Sequence, residues 1–370
     1  MRLGVLTSSR ADFGIYQALL DRIRTDIYFD LTIIAFGMHI LPYYGSTIDE
    51  IQERGFPVID TIDSLLSSDD VTSIARSYGL TVIKFADYWQ THHFDLVLCL
   101  GDRFEMSAAV QAGIPFSTRF AHIHGGETTL GAIDNIYRHQ ITLASQLHFV
   151  ATSIYAEKVR ELTGSDKNIY TVGSLSLDGI EDFELQEQKD LRELYKFPEG
   201  DFILTTFQPE TADYLKNEEF AAIMKEAIAK LTPYINFVIS MPNADTHGSK
   251  YRECFFYLKE KFPDRICLVE SFGKKNYFSA MKYARLVLGN SSSGIIEAAS
   301  FSKYVVNVGD RQRGRVTSNN IIGCEFSVSE IIDAISVGLK KGVYEGANVY
   351  VGSGAANAII SVLKSYDETF

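Results

Sequence analysis

Short apolar runs alternate with segments of helical periodicity along almost the whole chain, and this alternation restricts the folds that the chain can adopt. A short apolar run between polar segments is typical of a strand buried in a parallel sheet. Strands that alternate with amphipathic helices form βαβ units. The apolar runs predict strands at 3–6, 31–36, 96–100, 119–123, 147–151 and 169–172, and again at 202–206, 236–240, 266–269, 286–288 and 304–308.

The two sets of strands predict two doubly wound α/β domains. A length of 370 residues also suits two domains of ordinary size. Acidic residues cluster at 181–187, between the last strand of the first set and the first strand of the second. We therefore predict Rossmann-like domains over 1–180 and 181–350. The segment 351–370 is expected to contain a helix that packs back on the first domain, by analogy with other two-domain folds of this type.

The overall charge argues against one large class of partners. The chain carries 47 acidic and 35 basic residues, which gives a formal net charge of -12. Because an acidic surface repels a long polyanion, this composition predicts no nucleic-acid partner. A small anionic ligand held in a local basic pocket is still compatible with it.

Cysteine usage and hydropathy predict the compartment. The four cysteines form no CxxC pair and show no metal-ligand spacing with histidine. Cys99 and Cys267 lie in apolar runs, where a free cysteine is expected to be a small core residue. The N-terminal strand lacks the features of a signal peptide, and no apolar stretch approaches the roughly 20 residues of a membrane helix. These observations predict a cytoplasmic protein without a membrane partner.

A serine-rich loop follows the predicted strand at 286–288 and leads into a predicted helix. Ligands of open parallel sheets bind at the carboxyl ends of strands, so residues in such loops are candidates for a site. Helix N–H groups and serine hydroxyls favour an anion such as phosphate, although the same serines could serve only as N-caps. The candidates in this loop are Ser291, Ser292, Ser293 and Gly294.

Charged residues accompany the serine loop. Glu297, expected one turn into the helix, could accept two ribose hydroxyls or simply favour the positive helix end. Arg311, Arg313 and Arg315 follow the next strand, and guanidinium groups bind phosphate oxygens bidentately. Such a run can also be a solvated surface, but the serine loop on the neighbouring strand favours a diphosphate pocket.

Titratable residues follow successive strands in the first half of the chain. Arg10 follows the first strand, Asp102 follows the strand at 96–100, and His124 and Glu127 end the next one. Asp134 comes shortly afterwards. Clustered carboxylates can divide acid and base roles, whereas a single one is more often a helix cap or a loop residue. No metal motif and no Ser-His-Asp order accompanies them.

A series of motifs resembles a known family. In chain order they are SRADFG, GDRFE, HIHGGE, GAIDNIYRH, QPET, PNADT, GNSSSG and GDRQRGR. Together they resemble the hydrolysing UDP-N-acetylglucosamine 2-epimerases of bacterial sialic acid and related nonulosonate biosynthesis. Each motif alone is a weak signal, whereas the set in this order and at this spacing is specific.

The resemblance implies a glycosyltransferase-B-like fold, with two Rossmann-like domains and the ligand in the cleft between them. It also implies the reaction. UDP is eliminated from C1 with loss of the C2 proton, and water then adds to the 2-acetamidoglucal with the opposite C2 configuration, giving N-acetylmannosamine and UDP. Such a scheme needs neither nicotinamide nor metal, so no cofactor is expected. A homodimer or a higher homo-oligomer is also expected from the family.

The resemblance assigns roles to particular residues. By motif, Asp102 and Asp134 match catalytic acids. Phe272, in a loop after the strand at 266–269, is expected to lie against the uracil. The residues expected to bind nucleotide or substrate are Arg10, Gln208, Asn243, Phe272, Ser291, Ser292, Ser293, Gly294, Glu297 and Arg311.

The chain departs from the family pattern at two positions. Some members read HIEGGE and use the first glutamate for catalysis, whereas this chain has His124 there. Either Glu127 or His124 would then be the second acid/base group, with a slight preference for Glu127. Gln208 stands where the family usually has histidine, and a glutamine cannot transfer a proton near neutral pH.

Several functions fit these motifs. The first is a hydrolysing 2-epimerase of UDP-N-acetylglucosamine, and a close variant acts on UDP-N,N'-diacetylbacillosamine. A non-hydrolysing 2-epimerase, which keeps UDP attached, and a glycosyltransferase of the same fold are alternatives. A nucleotide-sugar sensor without turnover is a further alternative, because of Gln208.

Overall fold

The computed structural model describes residues 1–41, 47–56, 59–66, 68, 70–212, 214–242 and 248–367. Within these residues the strands of the first half are β1 (Arg2–Thr7), β2 (Asp30–Phe36), β3 (Ile59–Ile62), β4 (Leu96–Leu100), β5 (Phe120–Ile123), β6 (Leu147–Val150) and β7 (Ile169–Thr171). Those of the second half are β8 (Phe202–Thr206), β9 (Asn236–Ser240), β10 (Ile266–Val269), β11 (Leu286–Gly289), β12 (Val305–Val308) and β13 (Ile321–Cys324).

Helices connect most of these strands. Those before β8 are α1 (Arg10–Ile23), α2 (Thr47–Glu53), α3 (Val71–Thr91), α4 (Phe104–Gly113), α5 (Asp134–Ala144), α6 (Ser153–Thr163) and α7 (Gln188–Tyr195). The later ones are α8 (Asn217–Leu231), α9 (Gly248–Lys261), α10 (Gly273–Tyr283), α11 (Ser292–Ile296), α12 (Val328–Lys341) and α13 (Ala355–Asp367). In the described part of the chain, no helix is both long and apolar enough to cross a membrane.

The strands form two parallel sheets. Their orders are β3-β2-β1-β4-β5-β6-β7 and β10-β9-β8-β11-β12-β13, and every neighbouring pair is parallel. The strand order reverses between β1 and β4 in the first sheet, and between β8 and β11 in the second. A ligand of a doubly wound sheet binds where the order reverses, at the carboxyl ends of the strands. The loops after these four strands are therefore the places to look for a site.

Each sheet is covered by side chains on both faces. Along β4, Leu96, Leu98 and Leu100 belong to one apolar cluster, while Val97 and Cys99 belong to another. This division follows from the two-residue period of a strand, and it explains why a strand buried on both faces reads as a continuous apolar run. Cys99 and Cys267 are buried and free, as their sequence context predicted.

The chain forms two compact units. Unit 1 consists of Met1–Glu127, Asp134–Ile180 and the chain from Tyr350 onward, and unit 2 consists of Thr128–Ile133 and Glu181–Val349. In unit 1, α13 packs beside α1, and its Ala356, Ile359 and Leu363 join the core. The ranges 1–180, 181–350 and 351–370 expected from the sequence do not anticipate that Thr128–Ile133 belongs to unit 2.

The contacts of Thr128–Ile133 explain its place in unit 2. The N–H of Leu130 donates to the carbonyl of Arg313 at 2.8 Å, and the N–H of Ile133 donates to Oγ1 of Thr211 at 3.0 Å. Gly131 passes so close to the backbone that a Cβ atom there would lie 2.3 Å from the carbonyl oxygen of Asp310. Only glycine fits at such a distance.

Three short strands differ from the sequence-based expectation. The sequence pattern missed β3 and β13, which are edge strands of four residues each with partly exposed side chains. The run at 169–172 was expected to be a buried strand; it does form a strand, but its burial was predicted wrongly. The strand β7 lies at the sheet edge and its side chains are half-buried or exposed, because an edge strand has a neighbour on one side only.

Candidate active site

Asp102 follows β4, which lies at the switch point of the unit 1 sheet. Its carboxylate is paired with Nη2 of Arg138, a residue of α5 that is 2% exposed. The Asp102 side chain is 23% exposed, so it combines a fixed orientation with access to a ligand. A buried guanidinium beside a carboxyl favours its ionised form, which is the form that a general base requires.

Arg138 also holds the loop after β5. Its Nη1 donates to the carbonyl of His124 at 2.5 Å and lies 3.8 Å from Oε2 of Glu127. One buried cation therefore joins Asp102 to the HIHGGE motif. Breaking a buried ion pair by removing one partner is costly, so this arginine fixes the relative positions of these groups.

His124 and Glu127 form a hydrogen-bonded pair, with 2.7 Å between Nδ1 of the imidazole and Oε1 of the carboxylate. An ionised carboxylate only accepts hydrogen bonds, so with Glu127 ionised Nδ1 is the donor of this bond and Nε2 is the ring nitrogen that faces away from Glu127. That Nε2 lies 3.5 Å from Oγ of Ser174. Glu127 is 1% exposed and His124 is 6% exposed. The sequence left these two residues as alternatives. In the structure they form one hydrogen-bonded pair, in which Glu127 orients His124.

The backbone of His124 is in the left-handed region, with φ of 65°. Non-glycine residues adopt this conformation at a cost, and it is concentrated at functional sites. Hydrogen bonds hold it there, since the N–H of His124 donates to the carbonyl of Phe149 at 2.9 Å and its own carbonyl accepts from Arg138.

His122 contacts the backbone next to Asp102 and a side chain of α5. Its Nε2 lies 2.8 Å from the carbonyl oxygen of Gly101, and its Nδ1 lies 3.0 Å from Oγ1 of Thr142. Burial lowers the pKa of His122 to about 3, so the ring is neutral at physiological pH. The neutral imidazole therefore donates through Nε2 and fixes the residue that precedes Asp102.

Asp134 is the first residue of α5, four residues before Arg138. Residues spaced by four share a helix face, so Asp134 projects from the same face as the arginine that holds Asp102. The partly positive helix N-terminus also favours a carboxylate there. The structure places all four sequence-predicted acid/base candidates in unit 1, on β4, β5, α5 and their loops.

The SRADFG motif begins α1 after β1, the other strand at the switch point. Oδ2 of Asp12 accepts hydrogen bonds from the N–H of Ser8 at 3.0 Å and from its hydroxyl at 2.7 Å, while Ser9 is the N-cap. These bonds order the helix start. Arg10, the first residue of α1, is half-buried at this end of the sheet.

In unit 2, two hydrogen bonds join the loops after β8 and β11 at the switch point. The N–H of Gln208 donates to Oδ1 of Asn290 at 2.7 Å, and Nδ2 of Asn290 donates to the carbonyl of Gln208 at 2.8 Å. Both side chains are buried. The pair places the glutamine of QPET beside the start of the serine loop.

The serine loop begins a helix of only five residues, α11, with Ser291 as its N-cap. Ser291, Ser292 and Ser293 are half-buried, and Gly294 is buried. The hydroxyl of Ser293 lies 2.6 Å from that of Tyr277, whose pKa is raised by burial. The loop thus offers hydroxyls and helix N–H groups to an anion.

Glu297 occupies a different place from the one expected. It was expected one turn into a helix, but α11 ends at Ile296 and Glu297 is its C-cap, at the junction with a 3-10 turn over Ala298–Phe301. The positive helix end therefore does not explain this residue. Its side chain is 8% exposed.

Arg311 reaches back to the serine loop. Its Nη1 donates to the carbonyl of Asn290 at 3.3 Å, and Nε2 of Gln312 donates to the same carbonyl at 2.9 Å. Arg313, by contrast, is exposed and pairs with Asp310. Of these two arginines, Arg311 is therefore the one placed beside a candidate phosphate site.

Phe272 is 6% exposed and packs among Tyr195, Phe197 and Tyr277, with ring centroids 5.0, 6.1 and 5.8 Å away. It belongs to an apolar cluster of unit 2. Its contact with uracil stays a prediction. Asn243 lies outside the described residues.

Sequence reasoning gave no role to three residues that organise these sites. Arg138 and Glu210 are buried and Tyr277 is half-buried; they contact Asp102, the backbone of Arg311 and Ser293, respectively. Arg138 lies in the GAIDNIYRH motif and Glu210 in QPET, but the motifs gave neither residue a role. The partners of Tyr277 and Glu210 are 16 and 101 residues away along the chain, which no local pattern reveals.

Comparison with known proteins gives matches along nearly the whole chain. The model of a family described as UDP-N-acetylglucosamine 2-epimerase matches residues 21–364. The chain is 33% identical over 329 residues to the GDP/UDP-N,N'-diacetylbacillosamine 2-epimerase (hydrolyzing) of Campylobacter jejuni, which covers 88% of this chain and 85% of that protein. It is 31% identical over 363 residues to the UDP-N,N'-diacetylbacillosamine 2-epimerase (hydrolyzing) of Legionella pneumophila. This match covers 97% of this chain and 94% of that protein.

A solved structure shares the fold. The UDP-GlcNAc 2-epimerase of Methanocaldococcus jannaschii, in complex with UDP-GlcNAc and UDP, matches with a TM-score of 0.82 and 17% identity over 99% of this chain and 100% of that chain. The predicted fold class, with two Rossmann-like domains of the glycosyltransferase-B-like kind, is confirmed.

Proposed function

The chain belongs to the UDP-N-acetylglucosamine 2-epimerase family, and from this premise we propose that it is a hydrolysing 2-epimerase of a UDP-linked 2-acetamido sugar. The reaction has two stages. Elimination breaks the C1–O bond to UDP and removes the proton from C2, which leaves a 2-acetamidoglucal. Water then adds its hydroxyl to C1, and C2 receives a proton on the opposite face.

The observation that supports this chemistry best is the cluster around Arg138. It brings together Asp102, His124 and Glu127, which are the group types needed to remove one proton and deliver another. Two proton transfers on opposite faces of one carbon need two separate groups. The cluster supplies an accessible carboxylate and an imidazole oriented by a buried carboxylate.

Within this proposal Asp102 is the base at C2. It is the more exposed of the two carboxylates beside Arg138, and its orientation is fixed by the ion pair. His124 is the second acid/base group, with Glu127 as the residue that positions it. This reverses the slight preference for Glu127, because a carboxylate that is 1% exposed and bonded to an imidazole is poorly placed to touch a substrate. Asp134 is a further catalytic acid in the proposal, and it lies on the same face of α5 as Arg138.

Departure of the diphosphate requires charge stabilisation rather than proton transfer. In the proposal, Arg311 and the serines at 291–293 bind the diphosphate in unit 2. Gln208 then needs no ionisable side chain, since its backbone already fastens the two loops through Asn290. Unit 1 performs the proton transfers and unit 2 holds the leaving group.

The sugar itself has two candidates. UDP-N-acetylglucosamine is the substrate expected from the motifs. UDP-N,N'-diacetylbacillosamine is favoured by two relatives, at 33% and 31% identity, whose names carry that sugar. The two differ at C4 and C6, away from the carbon that is epimerised.

The proposal is tested by incubating the protein with each nucleotide sugar separately in deuterated water and following the reaction by proton NMR. A free sugar with inverted C2 that carries deuterium, together with UDP, is the expected result for one of the two substrates. Formation of the UDP-linked 2-epimer would contradict the hydrolysing reaction. Both nucleotide sugars left unchanged would contradict the proposed enzyme. Heat-unfolded protein is the control for spontaneous hydrolysis.

A further inference from the structure

Glu210 is a buried carboxylate to which the proposed reaction gives no role. It follows β8 in the QPET motif and is 5% exposed. Its Oε1 accepts two backbone hydrogen bonds, from the N–H of Asp310 at 2.9 Å and from that of Arg311 at 3.2 Å. Both donors lie in the turn after β12 that carries the Arg311 side chain. Glu210 thus binds the backbone of the turn from which the guanidinium projects.

The backbone N–H and carbonyl of Glu210 are both hydrogen-bonded to the side chain of Asn217. Its N–H donates to Oδ1 of Asn217 at 2.9 Å, and Nδ2 of Asn217 donates back to its carbonyl at 2.9 Å. Asn217 is the fully buried first residue of α8. The backbone that carries the Glu210 carboxylate is therefore fixed independently of the Arg311 turn.

The turn approaches this carboxylate closely. Gly309, with φ of +73°, comes so near that a Cβ atom there would lie 2.4 Å from Oε1 of Glu210. Burial raises the pKa of the Glu210 carboxyl, while the N–H groups of Asp310 and Arg311 act in the opposite direction. A buried carboxylate is retained at such a site only where it is hydrogen-bonded.

The Arg311 turn is thus fixed at two points. Glu210 holds its backbone, and the carbonyl of Asn290 holds the Arg311 guanidinium and the Gln312 amide. A guanidinium binds phosphate oxygens bidentately only when its planar fork is correctly oriented, since both hydrogen bonds depend on direction. The backbone anchor therefore governs what the guanidinium can bind.

We infer that Glu210 is a positioning residue that aims Arg311 at the diphosphate of the nucleotide. The inference rests on the proposed function, because it takes Arg311 to be a diphosphate ligand. Glu210 touches neither sugar nor phosphate in this role. It acts through the backbone N–H groups of the turn, and its contribution disappears when the arginine side chain is absent.

A double-mutant cycle on UDP binding tests the inference. Dissociation constants are measured by isothermal titration calorimetry for the wild type, Glu210→Ala, Arg311→Ala and the double variant. Each single variant is expected to weaken UDP binding by roughly tenfold or more, since hydrogen bonds to a charged group are involved. The double variant is expected to bind UDP as Arg311→Ala does, within about twofold, because Glu210 acts through Arg311.

Two further variants separate positioning from general destabilisation. Glu210→Gln keeps an acceptor oxygen for the two N–H groups and is expected to recover part of the lost UDP affinity. Asn236→Ala removes a buried side chain at the amino end of β9, where it donates to the carbonyls of Glu199 and Asp201, and is expected to bind UDP as the wild type does. Thermal unfolding of every variant confirms that it is folded at the titration temperature.

The outcomes distinguish this inference from the proposed function. A folded wild type that does not bind UDP would overturn both. A wild type that binds UDP, with Glu210→Ala binding it equally well, would overturn the positioning role alone. Losses that add in the double variant, or an equal loss in Asn236→Ala, would also overturn it.

Discussion

The two units share one architecture and carry different chemical groups at their switch points. Each is a doubly wound parallel sheet, and each carries its candidate residues on the loops beside its switch point. In unit 1 these loops carry a carboxylate, an imidazole and the arginine that joins them. In unit 2 they carry hydroxyls, amides and a guanidinium, which bind anions without exchanging protons near neutral pH. The fold thus fixes where a ligand binds, and the loop residues determine what is done to it.

Histidine usage repeats this contrast. Seven of the eight histidines lie in the ranges that form unit 1, and the eighth, His247, lies in the range of unit 2. Burial lowers the pKa of His39 and His148 to about 4 and that of His122 to about 3. Unit 1 is therefore the unit whose properties should respond to pH. The predictions that follow test this division, starting with the largest expected effect.

Removing the proposed base should stop the reaction while leaving UDP binding intact. For Asp102→Asn we expect turnover and C2 deuterium incorporation to fall by about 10³-fold or more, since general base catalysis contributes about 10²–10⁴-fold. The two readouts are proton NMR in deuterated water and calorimetric titration with UDP. Full activity in this variant would remove Asp102 from the mechanism, and a parallel loss of UDP affinity would contradict the division between the units.

The His124–Glu127 pair predicts an asymmetry between two variants. His124→Asn removes the proposed proton-transfer group and should lower kcat by about 100-fold. Glu127→Gln keeps an acceptor for Nδ1 and should lower kcat by about tenfold, because only the orientation of the imidazole is weakened. Steady-state kinetics on both variants measures the difference. The reverse order would make Glu127 the proton-transfer group.

Acid should unfold unit 1 before unit 2. The folded histidines stay neutral down to about pH 4, whereas unfolded ones take up protons below 6.5. Because the unfolded state then binds more protons, stability falls as pH drops through this window, by up to about 2 kcal/mol per histidine at pH 5. The raised pKa values of Asp12 and Glu105 act in the opposite direction and offset part of the loss.

The single tryptophan makes this measurable, since Trp89 is 1% exposed in the core of unit 1. Its fluorescence should change at a higher pH than the far-ultraviolet circular dichroism that reports on both units. His148→Gln should move the fluorescence transition to lower pH, and the exposed His93→Gln should leave it unchanged. Coincident transitions of fluorescence and circular dichroism would contradict a unit-specific response.

The smallest effect is expected at the arginine of unit 2. Arg311→Lys keeps the charge but loses the planar fork, so UDP should bind about tenfold more weakly. C2 exchange at saturating substrate should fall less than in Asp102→Asn, because Arg311 transfers no proton and a lysine still stabilises part of the charge on the leaving diphosphate. Calorimetry and NMR exchange on the same preparation provide the comparison, and a large loss of exchange at saturation would contradict it.

The central strands and the motif residues at their ends could be predicted from the sequence, because both leave a local pattern in it. Long apolar runs such as that of β4 predict central strands, because burial on both faces leaves no polar position. The edge strands β3 and β13 lack this signal, because most of their side chains are half-buried or exposed. The motif residues at strand ends were recognisable because parallel strands end at one sheet edge.

The contacts that join motifs could not be predicted in this way. That Arg138 would bind Asp102, or that Glu210 would bind the Arg311 turn, depends on how elements 36 and 101 residues apart along the chain pack together. The His124–Glu127 bond also had to be observed, although the residues are only three apart, because it needs the left-handed backbone at His124.

The packing of α13 beside α1 has a consequence for how the protein is made. During synthesis the ribosome completes all of Glu181–Val349 before it reaches α13. The apolar side chains of α1 that α13 covers in the finished protein therefore stay uncovered while a second unit is being produced. Unit 2 can fold as its segment emerges, whereas unit 1 waits for a helix encoded after it. The first unit to begin synthesis is thus the last whose core is completed.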